Sequence, residues 1–242
     1  MRRVTNAVLT RVEILMRHVG ESIPAEVLVR RDELPIKPAP AVLTGRQVRL
    51  EPFVLERDVA ALYAVSNGEP ARLGDREVEA YDSDTLIWRY MPAGPFASLD
   101  AFTDYYRALA ATPNLLAMTV FDIATNQPVG VTTFMSNFPE HLKIELGNIW
   151  YSPLVQRSHA NLESTWLMLR HAFELGYRRV EWKCDSLNER SRRSALRMGF
   201  QFEGIQDAHF IVKGRNRDTA WFRILDREWP EVQAKLEGML AE

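Results

Sequence analysis

Two polar runs in this chain carry the residue types that could do chemistry. The first is Gln156-Arg157-Ser158-His159-Ala160-Asn161, which leads into an apolar-striped stretch. A helix starting there would present unpaired N–H groups and partial positive charge, a combination that holds phosphate. The second is the turn Asn188-Glu189-Arg190-Ser191, which pairs a good helix N-cap with a hydroxyl three residues on. Arg190, Arg193 and Arg197 fall at i, i+3 and i+7. They could meet a phosphate or form a solvated face, and Arg190, in the turn itself, is the one retained as a ligand contact. Glu145 is a carboxylate in a strand-like stretch and reads either as a proton acceptor or as a partner within the sheet. Asp185 and Glu203 are its rivals. Cys184 alternates with Val180 and Trp182 and reads as a small buried thiol rather than a nucleophile. His141 and His209 show no spacing that suggests a metal site or a triad.

The elements that must position these groups follow from periodicity. Asn161 to Leu175 carries Leu162, Trp166, Leu169 and Phe173 at helical spacing, with Gly176 placed to end the helix. Arg179–Asp185 alternates as a strand with one buried face. Upstream, Val48–Phe53 predicts a strand and Leu55–Ser66 a helix, closed by Asn67-Gly68. Ser98 caps a helix to about Ala111. Leu115–Phe121, Val129–Met135 and Leu142–Tyr151 predict a meander, with Gly147 marking a bend or bulge. Phe200–Val212 and Arg217–Leu225 flank a hairpin turn, and Glu228–Leu240 closes the chain as a helix. Glu69–Pro95 has no clean period and holds Trp88 and Tyr90 among glycines and prolines, with Phe96 directly after it. The sum is an α+β fold, a mixed sheet flanked by helices with one parallel pair across the Asn161–Leu175 crossover.

Pro35, Pro38, Pro40 and Gly45 predict a linker, so residues 1–45 read as an N-terminal extension and 46–242 as the main domain. Within the extension, Arg2, Arg3, Arg11 and Arg17 interleave with Val8, Val12, Leu15 and Val19 at helical spacing. That pattern suits an amphipathic helix docking on the domain or a partner, or an organellar presequence.

Composition narrows the function classes. The chain has 242 residues and a formal net charge of −2, which gives no reason to expect nucleic-acid or membrane-surface binding. No apolar run approaches the ~20 residues of a membrane span. The single cysteine excludes an internal disulfide and a thiolate zinc site, so a reducing cytoplasm and no metal are expected.

The order of loop, helix, strand, Asn-x-x-Ser turn, helix and Gly199-Phe200 resembles the acyl-CoA-binding half of the GNAT N-acetyltransferases, in particular their RimL/RimJ-like branch. The resemblance spans roughly Gln47 to Pro230. It implies a strongly twisted GNAT-type sheet with acetyl-CoA wedged between the two parallel strands, contacting Ile149 and Tyr151. It implies that Gln156, Arg157, Ser158, His159, Ala160 and Asn161 hold the pyrophosphate, although His159 and Asn161 replace the small residues of the family signature. Asn188 resembles the asparagine that bonds the pantetheine arm. Ser191 resembles the serine that protonates the leaving thiolate. Glu145 would free the amine of its proton, and Trp88 and Tyr90 would line the acceptor pocket. An acid at Asp207, where relatives often carry arginine, would favour cationic amines. The implied activity is acetyl transfer to a primary amine, either a protein N-terminal α-amine or a small molecule. A non-catalytic acyl-CoA-binding or protein-docking module is the alternative, and the extra N-terminal segment and the apolar sheet edges leave room for a homodimer without fixing the oligomeric state.

Overall fold

The computed structural model describes residue 20 and residues 22–242. The amphipathic pattern of residues 1–19 therefore lies outside the described residues. Two short helices come first, α1 (Ala25–Leu28) and α2 (Arg30–Glu33). The proline-rich segment after them forms no long regular element, as its composition predicts, but it lies against the rest of the protein. Asn137 Nδ2 donates to the Pro35 and Ile36 carbonyls, both at 2.9 Å, and Lys37 Nζ donates to the Ala110 carbonyl at 2.8 Å. Tyr177 Oη fixes Asn137 by donating to its Oδ1 at 2.8 Å.

The segment ends in β1 (Leu43–Thr44), which pairs antiparallel with β2 (Val48–Pro52). Then come α3 (Leu55–Ala64), a small separate hairpin of β3 (Ala71–Leu73) and β4 (Arg76–Val78), and a single π-helical turn over Asp84–Trp88. The hairpin and turn occupy the stretch that lacks sequence periodicity. Next is α4 (Leu99–Ala110), whose Ser98 Oγ accepts from the Ala101 amide at 3.2 Å as a side-chain cap should. The meander follows as β5 (Leu116–Asp122), β6 (Gln127–Phe138) and β7 (Lys143–Tyr151). The crossover helix α5 (Ala160–Glu174) leads to β8 (Arg179–Asp185) and α6 (Glu189–Arg197). The long hairpin of β9 (Gln201–Val212) and β10 (Arg215–Leu225) and the helix α7 (Trp229–Ala241) complete the chain.

Among the described residues, eight strands form one sheet in the order β1-β2-β5-β6-β7-β8-β10-β9. Every neighbouring pair is antiparallel except β7 and β8. Consecutive β7 residues face opposite layers, as strand geometry requires. Trp150 Nε1 donates to Tyr106 of α4 at 2.7 Å, whereas Tyr151 is buried beside Ser164 of α5. Phe173 of α5 stacks on Trp229 of α7 with ring centroids 5.0 Å apart, so these two helices share a layer.

Two irregularities in β7 decide what the sheet can do. Its parallel register with β8 runs only from Lys143↔Arg179 to Glu145↔Glu181. Beyond that, β7 stays on β6 as far as Gly130↔Tyr151, while β8 stays on β10 as far as Thr219↔Asp185. Each strand keeps its outer partner, and the inner edges part. Between Thr133↔Gly147 and Val131↔Trp150, β7 also carries one residue more than β6. The bulge falls just past Gly147, at Asn148, which takes the left-handed conformation with φ 50°. Gly147 has a different role. A Cβ there would sit 2.5 Å from Met135 Sδ and 2.8 Å from Glu145 Oε1, so the absence of a side chain leaves room for both groups.

Candidate active site

A cavity of about 470 Å³ occupies the gap between β7 and β8. Its wall includes Trp182 and Cys184, which alternate to the helix-covered face of β8, and also Lys183, which alternates to the other face. Only strands that have parted can offer residues from both faces to one space. Leu146, Gly147, Asn148, Ile149, Trp150 and Tyr151 supply the β7 wall. The expected contacts Ile149 and Tyr151 are thus on it.

Asn188, Arg190 and Ser191 line the end formed by the α6 turn. Asn188 is the N-cap of α6, its Oδ1 accepting from the Ser191 amide at 3.1 Å. Trp182 Nε1 donates to Ser191 Oγ at 3.0 Å. An indole N–H can only donate, so Ser191 keeps its own proton available to a third group. Burial pushes the neighbouring Cys184 thiol up, which suits a neutral side chain rather than a nucleophile. Arg190 reaches across to the π-helical turn, its Nη2 donating to the Thr85 carbonyl at 3.0 Å.

The loop entering α5 works through its backbone more than its side chains. Gln156 Nε2 is committed to the carbonyls of Leu86 at 3.1 Å and Tyr151 at 3.0 Å. Ser158 Oγ donates to the Val155 carbonyl at 2.7 Å and accepts from the Ala160 amide at 3.2 Å. These bonds turn both side chains to holding the loop, although Gln156 still borders the cavity. Arg157 is exposed, sits on the cavity wall and adopts φ 65°, the left-handed turn that aims successive amides to one side. His159 has ordinary helical torsions, φ −76° and ψ −3°, and its Nδ1 lies 3.5 Å from Gln47 Nε2. Asn161 Nδ2 donates to Ser194 Oγ at 2.9 Å. The two glycine-like places therefore need no glycine torsion, and both bulky side chains are drawn aside. The first helical bond of α5 is Glu163 N–H to the His159 carbonyl at 2.8 Å, which leaves the Asn161 and Leu162 amides without an acceptor inside the helix.

Glu163 was not singled out in the sequence, yet it organises this corner. Its carboxylate is 3 % exposed and accepts from the amides of Arg46, Gln47 and Val48 at 2.6, 2.8 and 2.8 Å. Its charge is thereby turned away from the α5 entrance.

On the other face of the sheet, Glu145 is 1 % exposed and borders the cavity. Its Oε2 lies 2.8 Å from Lys183 Nζ. Burial holds its carboxyl above the usual carboxylate range, and Lys183 opposes that shift without cancelling it. Of the rival acids, Glu203 is ion-paired with Arg179, and Asp185 accepts from the Leu187 amide at 2.9 Å. Tyr90 is on the cavity wall with Leu86, Met91, Tyr105 and Leu109. Trp88 is not on it. That ring is 2 % exposed, donates from Nε1 to the Ser66 carbonyl at 2.9 Å and packs on Phe96 and Trp150 with centroids 5.1 and 5.2 Å away. It is a core residue, which corrects its reading as a substrate contact. Asp207 is exposed and not on the wall, where the charged groups missed in the sequence, Lys183 and Arg217, stand instead.

Residues 47–201 match the acetyltransferase (GNAT) domain family. The chain belongs to the GNAT acetyltransferases. Among solved structures, a GCN5-related N-acetyltransferase from Brucella melitensis is 35 % identical, with 84 % of this chain and 86 % of that one covered and a TM-score of 0.74. A GNAT-family protein from Chromobacterium violaceum is 34 % identical over 88 % of this chain and 98 % of its own, also with a TM-score of 0.74. The Salmonella typhimurium acetyltransferase that modifies the N-terminal serine of ribosomal protein L7/L12 is 16 % identical over 76 % of this chain and 99 % of its own, with a TM-score of 0.62, and so shares the fold alone. No curated protein matches. The GNAT acetyltransferase is thus an enzyme whose large, mostly antiparallel sheet is opened at its one parallel pair. Among the described residues no helix is long and apolar enough to cross a membrane.

Proposed function

We propose that this enzyme moves an acetyl group from acetyl-CoA to a primary amine by direct attack. The observation that carries the reading is the cavity walled by both faces of the sheet where β7 and β8 part. One space then meets a donor bound from the α5–α6 side and an acceptor bound from the Glu145–Lys183 side.

The chain's own groups divide the work as follows. The Asn161 and Leu162 amides and the Arg157 turn hold the pyrophosphate, with Arg190 nearby as a second cationic contact. Asn188, Ile149 and Tyr151 border the pantetheine arm. Glu145 accepts a proton from the acceptor ammonium, and burial raises its affinity for protons in the direction that task needs. The neutral nitrogen bonds to the thioester carbonyl carbon as the carbonyl electron pair moves onto oxygen, and the nitrogen, now cationic, releases its second proton to solvent. The carbon–sulfur bond then breaks with its electron pair on sulfur, and Ser191 Oγ–H protonates the thiolate. Solvent restores the Ser191 proton and removes that of Glu145. The RimL-like reading, with a protein N-terminal α-amine as acceptor, rests on the Asn188-x-x-Ser191 turn, and a small-molecule amine fits the same chemistry. A reducing cytoplasm suits the lone thiol.

Thermal-shift titration with millimolar acetyl-CoA and CoA-thiol release over an amine panel test the reading. A higher melting temperature and release with at least one amine are expected. No shift, or a shift with no release from any amine or free-N-terminus peptide, overturns it.

A further inference from the structure

Arg217 stands apart among the described cations. It lines the cavity and is half-buried, and its Nε is buried without any hydrogen-bond partner among the described residues. Arg223, on the same strand, is paired with Glu203 and Glu228. A buried guanidinium N–H left open is costly, so such a group normally has a partner. Strand alternation puts Arg217, Thr219 and Trp221 of β10 on the face opposite the Ala220 and Phe222 core side. Lys183 of β8 lies on the same side: its Nζ is 5.1 Å from the Trp221 ring and 5.8 Å from the Phe210 ring. Arg217 Cζ is 5.7 Å from that same Phe210 ring. Two cations therefore share one aromatic wall, on the face away from Asn188 and Ser191.

The other charged or titratable groups around this corner do not neutralise it. Glu145 of β7 offsets Lys183 alone. Asp218 accepts from the Ala208 amide and Asn216 Nδ2, at 2.7 and 2.8 Å. The His209 ring of β9 lies tilted beside Phe210 with centroids 3.8 Å apart, and its Nδ1 is also buried without a partner among the described residues. Lys183 has Glu145 as its counter-charge, and Arg217 has no ion-pair partner among the described residues, beside the carboxylate proposed to take the acceptor's proton.

We propose that Arg217, with Lys183 beside it, is a carboxylate subsite for the acceptor, so that the substrate is an amine that also carries a carboxylate. This rests on the acetyl-transfer reading above and names its substrate class. The planar guanidinium fork fits a carboxylate in two-point contact. The carboxylate could belong to a free amino acid or to an acidic side chain near a peptide N-terminus.

The test uses matched acceptors in the CoA-release assay. Free amino acids are compared with their carboxamides, and short peptides bearing Asp or Glu with the same peptides bearing Asn or Gln. The carboxylate member of at least one set should have about 10- to 100-fold higher kcat/KM, the range of a charge-assisted hydrogen bond. Which set responds distinguishes the two sources. Arg217→Gln should collapse that ratio toward one, and Arg217→Lys should retain part of it. An equal ratio in the unaltered protein, a preference for the uncharged members, or an Arg217→Gln loss that falls equally on both members overturns the subsite. Release with amines but without the preference overturns only the subsite, whereas no release from any amine overturns the acetyl-transfer reading with it. The acetyl-CoA thermal shift of each variant reports whether it is folded.

Discussion

Two carboxylates in this protein are buried almost equally and live in opposite surroundings. Glu163, in the first turn of α5, accepts from the amides of Arg46, Gln47 and Val48. Glu145, where β7 leaves β8, has one cation as its counter-charge and a cavity in front of it. Burial by itself therefore does not distinguish the proposed proton acceptor from a structural acid. The difference is satisfaction. A carboxylate whose oxygens are taken up by backbone is a fastener, and one left short of partners beside open space can exchange a proton.

The largest expected effect tests the Glu145 side. Glu145→Gln should lower kcat/KM by about 1000-fold, within the usual range for a general base, with the far-ultraviolet dichroism retained. In the unaltered enzyme, kcat/KM should rise with pH through a value above the ordinary carboxylate range, and the substitution should remove that limb. The stability effect has a definite sign. Because burial raises the folded-state pKa of Glu145, its contribution is fully present below the ordinary carboxylate range and is lost as pH rises through the raised value. Melting temperatures of the Glu145→Gln protein should accordingly fall less over that window than those of the parent. If the two pH profiles coincide, Glu145 is a fastener too, and the contrast is gone.

Glu163→Ala comes next. It strands three amides and should cost about 3 kcal/mol, lowering the melting temperature by about 6–12 °C for a domain of this size. Turnover of the folded protein should change by less than about threefold. A large drop in kcat without loss of stability would reverse the assignment. Smaller again, Ser191→Ala should lower kcat about tenfold while the acetyl-CoA dissociation constant stays within about twofold. Equal losses in both would mark Ser191 as a positioning group. The smallest is Asn188→Ala, worth about 1 kcal/mol through the lost α6 cap, read from urea unfolding.

What could be read in the sequence was what local periodicity encodes. The stripe of α5, the alternation of β8 and the Asn188 cap all appear where their spacing puts them, because each depends on residues a few positions apart. The parts that eluded reading are settled by distant partners. Gly147 drew attention as the bend, yet the extra residue is at Asn148, since a bulge is defined against the register of β6. The prolines before Gly45 announced a break in regular structure but not the grip of Asn137, about a hundred residues away. Trp88 and Tyr90 are two positions apart in one irregular stretch, and only the packing of Phe96 and Trp150 sends the first into the core. Arg217 had no motif to mark it. Its interest lies in a missing partner, and that cannot be seen until the neighbours are in place.

The parting of β7 and β8 also bears on the order of events in turnover. Under the proposed reaction, a passage walled by both faces of one sheet gives each reactant its own approach, so neither has to leave before the other arrives. Initial-velocity lines measured at several fixed concentrations of the second reactant should then intersect rather than run parallel. Dead-end inhibitors of the two reactants should likewise bind independently of each other.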